Sequence, residues 1–318
     1  MSSRRTVLRT AASAIAAVGL NLRAQEDKSP ITILVGAASS MDFTARLIAE
    51  HLREALGRPV VVSSKLGAGG RLALGELKRA APDGRTLMFS TSSLFAIYPN
   101  IYTKLDYDPV ADFTPIAGIC WFDLGVATKS VTQATDLRQF IGWAKTQNDG
   151  VIYACAPGAG SSSHFLGISL AQATGLKLTP ANYPNSGGGI IDLAAGRLPL
   201  MITGTTPLLE MHKAGKIRLL AVSGESRSPL ATDIPTLKES GINVVLQNSA
   251  GLYAPARMPR ELIERIYGAV MPMLSRADAR EKMLAQSMVP APMTGVQLAA
   301  SLARSARSLK IWRPPAVM

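Results

Sequence analysis

From residue 30 onward, short β-rich apolar runs alternate with longer stretches whose apolar residues recur at helical spacing. Ile31 to Val35 reads as a first strand. The stretch 43–56 puts Ala45, Leu47, Ile48, Leu52 and Leu56 on one side of a helix that Gly57 ends. Residues 59–63 form a second strand, a helix through Leu72, Leu74 and Leu77 follows, and 86–90 is a third strand. This alternation predicts an α/β protein with an open parallel sheet covered by helices. A second block begins near Thr135, with a helix over 136–143 and strands at 151–155, 198–202 and 217–222. The segment from Gly251 to Pro259 then leads into a long helical tail over 260–311. A chain that leaves the first block near Val126 and returns near Gly251 crosses twice between two lobes, which suits a hinge around a cleft.

The unit of strand, polar or glycine-rich loop and helix recurs before Asp42, at Gly67 and at Gly158, and ligands collect at the carboxyl ends of strands in such sheets. The third loop, Gly158-Ala-Gly-Ser-Ser-Ser-His164, joins the apolar strand ending at Cys155 to a helix carrying Phe165, Leu166, Ile168, Leu170 and Ala171. Its glycines permit a tight turn and close approach of backbone to a ligand, while Ser161, Ser162 or Ser163 can cap the helix. The free N–H groups of the first turn then form a cradle for a carboxylate or phosphate that needs no basic side chain. Taken alone, the stretch also fits a Ser-capped turn that binds nothing. The Gly67-Ala-Gly-Gly70 loop reads as a structural turn: a dinucleotide fingerprint needs glycine where Leu72 stands, and no Gly-Lys-Ser/Thr follows.

The amino terminus changes the picture of where the chain works. Arg4 and Arg5 precede a small apolar run from Ala11 to Leu20, too short to span a bilayer, with Ala24 at a plausible cleavage point. Residues 1–24 are therefore expected to be an export signal, the paired arginines suggesting the twin-arginine route and a general secretory signal with a basic front being the alternative, and the mature protein is expected in the periplasm. The full chain carries 34 basic and 22 acidic residues, a net charge of +12; without Arg4, Arg5, Arg9 and Arg23 it is 30 against 22, or +8. These charges are dispersed rather than clustered, which argues against nucleic acid and leaves attraction of small anions as a milder consequence. Cys120 and Cys155 lie in apolar runs with no histidine at a metal-ligand spacing, so no metal or cofactor is expected. They fall in different blocks, and two buried thiols are expected rather than a disulfide.

The order of motifs over nearly the whole mature chain resembles one family. The matching pieces are Asp42-Phe-Thr-Ala-Arg-Leu-Ile-Ala-Glu50, Leu56-Gly-Arg-Pro-Val-Val-Val62, Gly67-Ala-Gly-Gly70, Ala81-Pro-Asp-Gly-Arg-Thr-Leu87 and Tyr107-Asp-Pro-Val-Ala-Asp-Phe-Thr-Pro115. After them come the Gly158 to His164 loop, Asp192-Leu-Ala-Ala-Gly196 and Arg227-Ser-Pro-Leu-Ala-Thr-Asp-Ile-Pro-Thr236. In this order they resemble the Bug-type, TctC-like periplasmic substrate-binding proteins of tripartite tricarboxylate transporters.

The resemblance implies two α/β lobes, 25–126 plus 252–318 and 127–251, joined by two crossing strands around a central cleft. It implies a non-enzymatic, monomeric receptor that traps a small organic acid and hands it to the membrane subunits of a tripartite transporter. Carried over, the first-lobe ligand loop holds Ala38, Ser39, Ser40 and Asp42, with Ser92 and Ser93 after the third strand. The second-lobe loop holds Gly158, Gly160, Ser161, Ser162, Ser163 and His164, and Tyr183, Ser186, Gly187 and Thr203 complete the cleft. Backbone N–H groups and hydroxyls would hold the carboxylate oxygens. The family's first loop usually reads Pro-Phe-x-x-Gly-Gly-x-x-Asp, whereas Gly36-Ala-Ala-Ser-Ser-Met-Asp42 is two residues shorter and lacks the glycine pair. Ala38, Ser39 and the bulky Met41 are expected to narrow the backbone approach there. Thr203 stands where the family often has an aspartate, which favours a simple carboxylate over an amino acid. The same fold could serve a periplasmic sensor. A serine hydrolase would need Ser163 beside His164 with Asp42 or Asp192, but neighbours at a helix start project in different directions and no Gly-x-Ser-x-Gly elbow occurs.

Overall fold

The computed structural model describes residues 29–37 and 40–310. The expected export signal, Ala38 and Ser39 lie outside the described residues.

The first lobe opens with β1 (Ile31–Val35), which is buried except at Thr32, and runs through a loop into α1 (Ser40–Leu56). This helix starts three residues earlier than its stripe predicts, and Met41 extends the stripe inward with Ala45, Ile48 and Leu52. Met41 is 5% exposed and packs in the first-lobe core, so it does not narrow the cleft as the sequence led us to expect. Then follow β2 (Val60–Ser64), α2 (Arg71–Arg79), β3 (Thr86–Thr91) and, after a wide π-helical turn over Ser93–Ile97, the short α3 (Tyr98–Ile101). Leu72, expected inside α2, is exposed; Ala73, Leu74 and Leu77 form its buried face.

The crossing strand β4 (Phe113–Thr128) is long enough to serve both lobes. The second lobe contains α4 (Leu137–Lys145), β5 (Val151–Cys155), α5 (Ser162–Thr174), β6 (Leu178–Asn182), α6 (Ser186–Ala194), β7 (Leu200–Gly204), α7 (Thr205–Lys213) and β8 (Arg218–Val222). The chain returns along β9 (Gln247–Pro255) and finishes the first lobe with α8 (Arg260–Val270), α9 (Ala277–Ala285), β10 (Val289–Thr294) and α10 (Gly295–Lys310). The tail expected as one helical stretch is therefore interrupted. Ser287 at φ +55 turns the chain out of α9, and the segment with Pro290 and Pro292 pairs antiparallel with β4 at the sheet edge, where a missing N–H is tolerated.

The sheet is mixed rather than wholly parallel. In the first lobe β2, β1 and β3 run parallel, while β9 is antiparallel to both β3 and β4. In the second lobe β6, β5 and β7 run parallel, and β7 and β8 flank the end of β4 antiparallel to it. The early part of β4 pairs with β9 and β10, its late part with β7 and β8, so one strand stitches the two halves together. Reversal is unavoidable, because the strands that carry the chain out and back must run in opposite senses. Cys120 and Cys155 are both buried free thiols; Cys120 Sγ lies 3.8 Å from Met288 Sδ and Cys155 Sγ 3.3 Å from Asn182 Oδ1.

Among the described residues, no helix is long and apolar enough to cross a membrane, and no cluster of three or more His, Cys, Asp or Glu side chains could hold a metal ion. The functional consequence of the topology is positional. The parallel strands of each lobe end in loops that lead directly into helices, so helix N-termini gather where the lobes meet.

Candidate functional site

The second-lobe wall is built by the turn between β5 and α5. Gly158 and Gly160 adopt φ +92 and +76, values that L side chains rarely reach, and they wrap the backbone into the start of the helix. Ser161 is the N-cap: its hydroxyl accepts from the His164 N–H at 3.2 Å. His164 is buried, its Nδ1 accepts from the Gly160 N–H at 3.1 Å, and burial holds its pKa below the usual imidazole range. A neutral ring that accepts a backbone N–H stiffens the turn. Ser163 Oγ, 1% exposed, donates to the Ala156 carbonyl at 2.8 Å, and Thr203 Oγ1 points at the same carbonyl at 3.5 Å. Both hydroxyls therefore brace the loop from inside the lobe, which leaves Ser162 as the serine that reaches across the seam.

Ser162 Oγ lies 2.5 Å from Ser93 Oγ, and Ser93 follows β3 in the first lobe. Both hydroxyls converge on Asn248 Oδ1, Ser162 at 2.7 Å and Ser93 at 3.3 Å, with Asn248 on the crossing strand β9. Ser92 anchors this side, accepting from the Ser249 N–H with its hydroxyl at 3.2 Å and donating its own N–H to Ser249 O at 2.7 Å. A second contact closes the mouth: a Cβ built on Gly160 would fall 2.9 Å from Tyr102 Cζ, so the tyrosine ring rests on bare backbone. The Arg71 guanidinium sits 4.4 Å from that ring's centroid, on the first-lobe side. A third contact joins Thr206 Oγ1, at the start of α7, to Gln286 O at 2.8 Å, while Ser40 Oγ reaches Gln286 Oε1 at 3.4 Å. The lobes are thus drawn together at three places around the N-termini of α1, α5 and α7.

The remaining expected residues take supporting positions. Asp42, in the first turn of α1, is bound by Arg46 at 2.7 Å and by the Ser64 hydroxyl at 2.5 Å, and these hydrogen bonds hold its pKa below the usual carboxylate range. It ties α1 to the end of β2 and its charge is matched. Tyr183 donates to Asp192 at 2.5 Å, and Asp192 also pairs with Arg197, so the tyrosine is fastened to its own lobe. Its Asp192 partner is held below the usual carboxylate range by the Tyr183 and Arg197 hydrogen bonds. Ser186 and Gly187 open α6, where Asn185 caps by accepting from the Gly187 N–H at 3.1 Å. The structure thus brings together Ser93, Gly160 and Ser162, and keeps Tyr183, Asp42 and Ser163 in bonds within their own lobes. It also supplies Asn248, Tyr102, Gln286 and Thr206, which sequence reasoning missed. Asn248 had a readable signal as an amide inside the apolar run before Leu252; the other three had none.

The serine hydrolase arrangement is absent from this geometry. Ser163 and His164 each bond to backbone, and both aspartates that could complete a triad are engaged by arginine. What the seam presents to a ligand is helix amides that have no intrahelical acceptor, beside hydroxyls whose protons are already engaged within the Ser93, Ser162 and Asn248 cluster.

Residues 44–310 match the profile of the tripartite tricarboxylate transporter family receptor, TctC. This chain belongs to the TctC family. Among relatives of the TctC-family chain, a UPF0065 protein of Bordetella bronchiseptica is 34% identical over 237 residues, covering 74% of this chain and 70% of the relative. Protein BugT of Bordetella pertussis is 29% identical over 215 residues, covering 67% and 66%. Among solved structures, one described as a periplasmic transporter superposes with a TM-score of 0.82 at 27% identity, covering 89% of this chain and 96% of that one. MatC of Rhodopseudomonas palustris, solved with bound malate, superposes with a TM-score of 0.80 at 25% identity over 90% and 99% of the two chains. The TctC-family chain is accordingly a solute-binding receptor of the two-lobed periplasmic type and not an enzyme.

Proposed function

We propose that this protein captures a small organic carboxylate between its lobes and delivers it to the membrane subunits of a tripartite tricarboxylate-type transporter. The observation that carries the reading is the first turn of α5, whose leading amides lack intrahelical acceptors and which meets Ser93 across the cleft. Such an array favours an anion and needs no basic residue. The malate bound by MatC, a protein of the same architecture, supports the carboxylate class. We take the lobes as 25–126 plus 252–318 and 127–251, divided within β4 and β9, and the working form as a monomer exported to the periplasm.

The test is calorimetry on the mature protein with acetate, butyrate, succinate, malate, glutarate and adipate, together with mass spectrometry of any ligand released from the protein as purified. Binding without turnover of at least one acid at roughly micromolar affinity is expected, about −8 kcal/mol. Silence across the panel, with no acid in the released material, would overturn the reading.

A further inference from the structure

The hydrogen-bond tally at Asn248 is unbalanced. This residue is 1% exposed. Its Oδ1 accepts from both Ser162 and Ser93, at 2.7 and 3.3 Å, while its Nδ2 has no partner among the described residues. A primary amide carries two N–H donors on that nitrogen, and leaving a buried donor unpaired costs about 1–3 kcal/mol. Asn248 is therefore an expensive way to do nothing more than gather two hydroxyls, since any acceptor would do that.

The neighbourhood of Nδ2 explains the residue type. Through Ser162 Oγ the amide lies against the first turn of α5, where the N–H groups of Ser162 and Ser163 have no acceptor within their own helix. Ser161 Oγ caps the next amide in line, at His164. The groups left over on this side of the seam are thus all donors: two helix amides and the Asn248 Nδ2. An acceptor-only group with several lone pairs satisfies them together, and an ionised carboxylate is that group. An ammonium, which has no lone pair, would leave donors facing donors, and a hydroxyl accepts fewer of them and carries no charge to match the helix N-terminus. Asn248 also sits on β9, where it is registered opposite Phe122 of β4, so a ligand held by its amide is held by the crossing strand as well as by a lobe.

We propose that Asn248 is a ligand-binding and specificity-determining residue, its Nδ2 donating to the ligand's carboxylate at the N-terminus of α5. The inference rests on the carboxylate-capture reading above. It adds a side-chain contact from the hinge that ties occupancy of the cleft to the approach of Ser93 and Ser162.

Two variants separate this role from simple bracing of the serines. N248D keeps the acceptor for both hydroxyls and replaces the donor by an oxygen; N248L removes acceptor and donor together. The probe is whichever acid of the panel binds the wild type most tightly, measured by calorimetry at neutral pH on protein whose folding is checked by circular dichroism. If Nδ2 donates to the carboxylate, both variants lose affinity, N248D by roughly 30-fold or more, as expected for a hydrogen bond to a charged group. If Asn248 only braces the serines, the loss in N248D is charge repulsion that shrinks severalfold from low to high salt, and the wild-type side-chain amide protons stay in place on addition of the acid, which overturns the proposal. Should either variant fail to fold, the side-chain amide spectrum of ¹⁵N-labelled wild type decides: a single Asn Nδ2 proton pair moving strongly downfield on addition of the acid supports the proposal, and side-chain amide resonances that all stay in place overturn it. A wild type that binds no acid refutes the capture reading itself, and so is distinguishable from either outcome.

Discussion

Asp123 is a buried carboxyl with no partner among the described residues, and replacing it with asparagine should expose the cost of that burial as a pH dependence. It lies on β4 at the crossing, is 3% exposed, and neither carboxyl oxygen has a hydrogen-bond partner among the described residues. Its carboxyl group rests on Gly224, where a built Cβ would fall 2.9 Å from Cγ, and its backbone carbonyl accepts from Thr205 Oγ1 at 3.0 Å. The nearest charged residue in that stretch of chain, Glu225, is paired with Lys238. Burial pushes the Asp123 pKa up from 3.8 to about 7. The unfolded chain therefore releases this proton near its ordinary value while the folded chain keeps it up to about neutrality. Between those limits the folded state binds more protons, so stability is highest at the acid end of the window and falls as pH rises through it. A shift of roughly three pK units corresponds to about 4 kcal/mol lost by about pH 8. Asp123→Asn keeps the shape and cannot ionise. It should be close to wild type at about pH 4.5 and more stable by roughly 2–4 kcal/mol at about pH 8. Urea denaturation of both proteins at several pH values measures the difference directly. A gap that stays constant across the window would refute the reasoning, because it would show that the carboxyl is not forced to ionise in a buried place.

The other predictions probe the seam and its supports. Gly160→Val should weaken binding of the acid by about tenfold or more, because a branched side chain at φ +76 is strained and meets the Tyr102 ring; calorimetry with unchanged affinity would count against the Tyr102 contact. Met41→Ala should cost roughly 2–4 kcal/mol in urea denaturation while leaving affinity within about threefold, and a large change in affinity would return Met41 to the cleft. Asp136→Ala removes the N-cap of α4, whose carboxylate accepts from the Gln139 N–H at 2.8 Å, and should destabilise by about 1 kcal/mol with no effect on binding; equal stability would show the cap to be idle.

How far the sequence discloses this molecule depends on where each element lies. The outer units are legible because β1 and β5 are short, continuous β-rich apolar runs bounded by loop residues, and α1, with one face wet, carries a stripe that Met41 continues one turn back from Ala45. The crossing strands are not, because β4 and β9 are covered on both faces and show no alternation to count. Pro115, Gly118 and Gly125 in β4, and Gly251 in β9, further disguise them as loop. The edge strands β6 and β10 were hidden by Pro180, Pro290 and Pro292, which an edge tolerates and a periodicity search rejects.

The candidate site was half legible for a related reason. A loop such as Gly158 to His164 announces itself, since positive φ and helix capping demand particular residue types. What faces that loop is less plain: the family resemblance supplied Ser93, and Asn248 stands out as an amide in an apolar run, but Tyr102 is an ordinary residue made significant only by Gly160 of the other lobe. Yet the two crossing strands carry polar exceptions that burial makes costly, Asp123 on β4 and Asn248 on β9, both with side-chain atoms left unpaired, and Tyr253 on β9 buries an unpaired hydroxyl as well. Asp123 and Asn248 stand one step apart in register, Asp123 opposite Gln247 and Phe122 opposite Asn248. Their chemistry is opposite: Asn248 offers donors beside the start of α5, and Asp123 keeps a carboxyl over Gly224 near the start of α7. Local rules of patterning are broken where a fold must do something other than persist. Here both breaks fall on the hinge, the one part of a two-lobed receptor whose preferred angle decides how readily the seam closes. An amide there can draw the lobes onto an anion, and the buried carboxyl of Asp123 makes the same stretch of the crossing costly to fold. Polar residues inside an otherwise apolar crossing strand are therefore the signal to seek when such a chain is read from sequence alone.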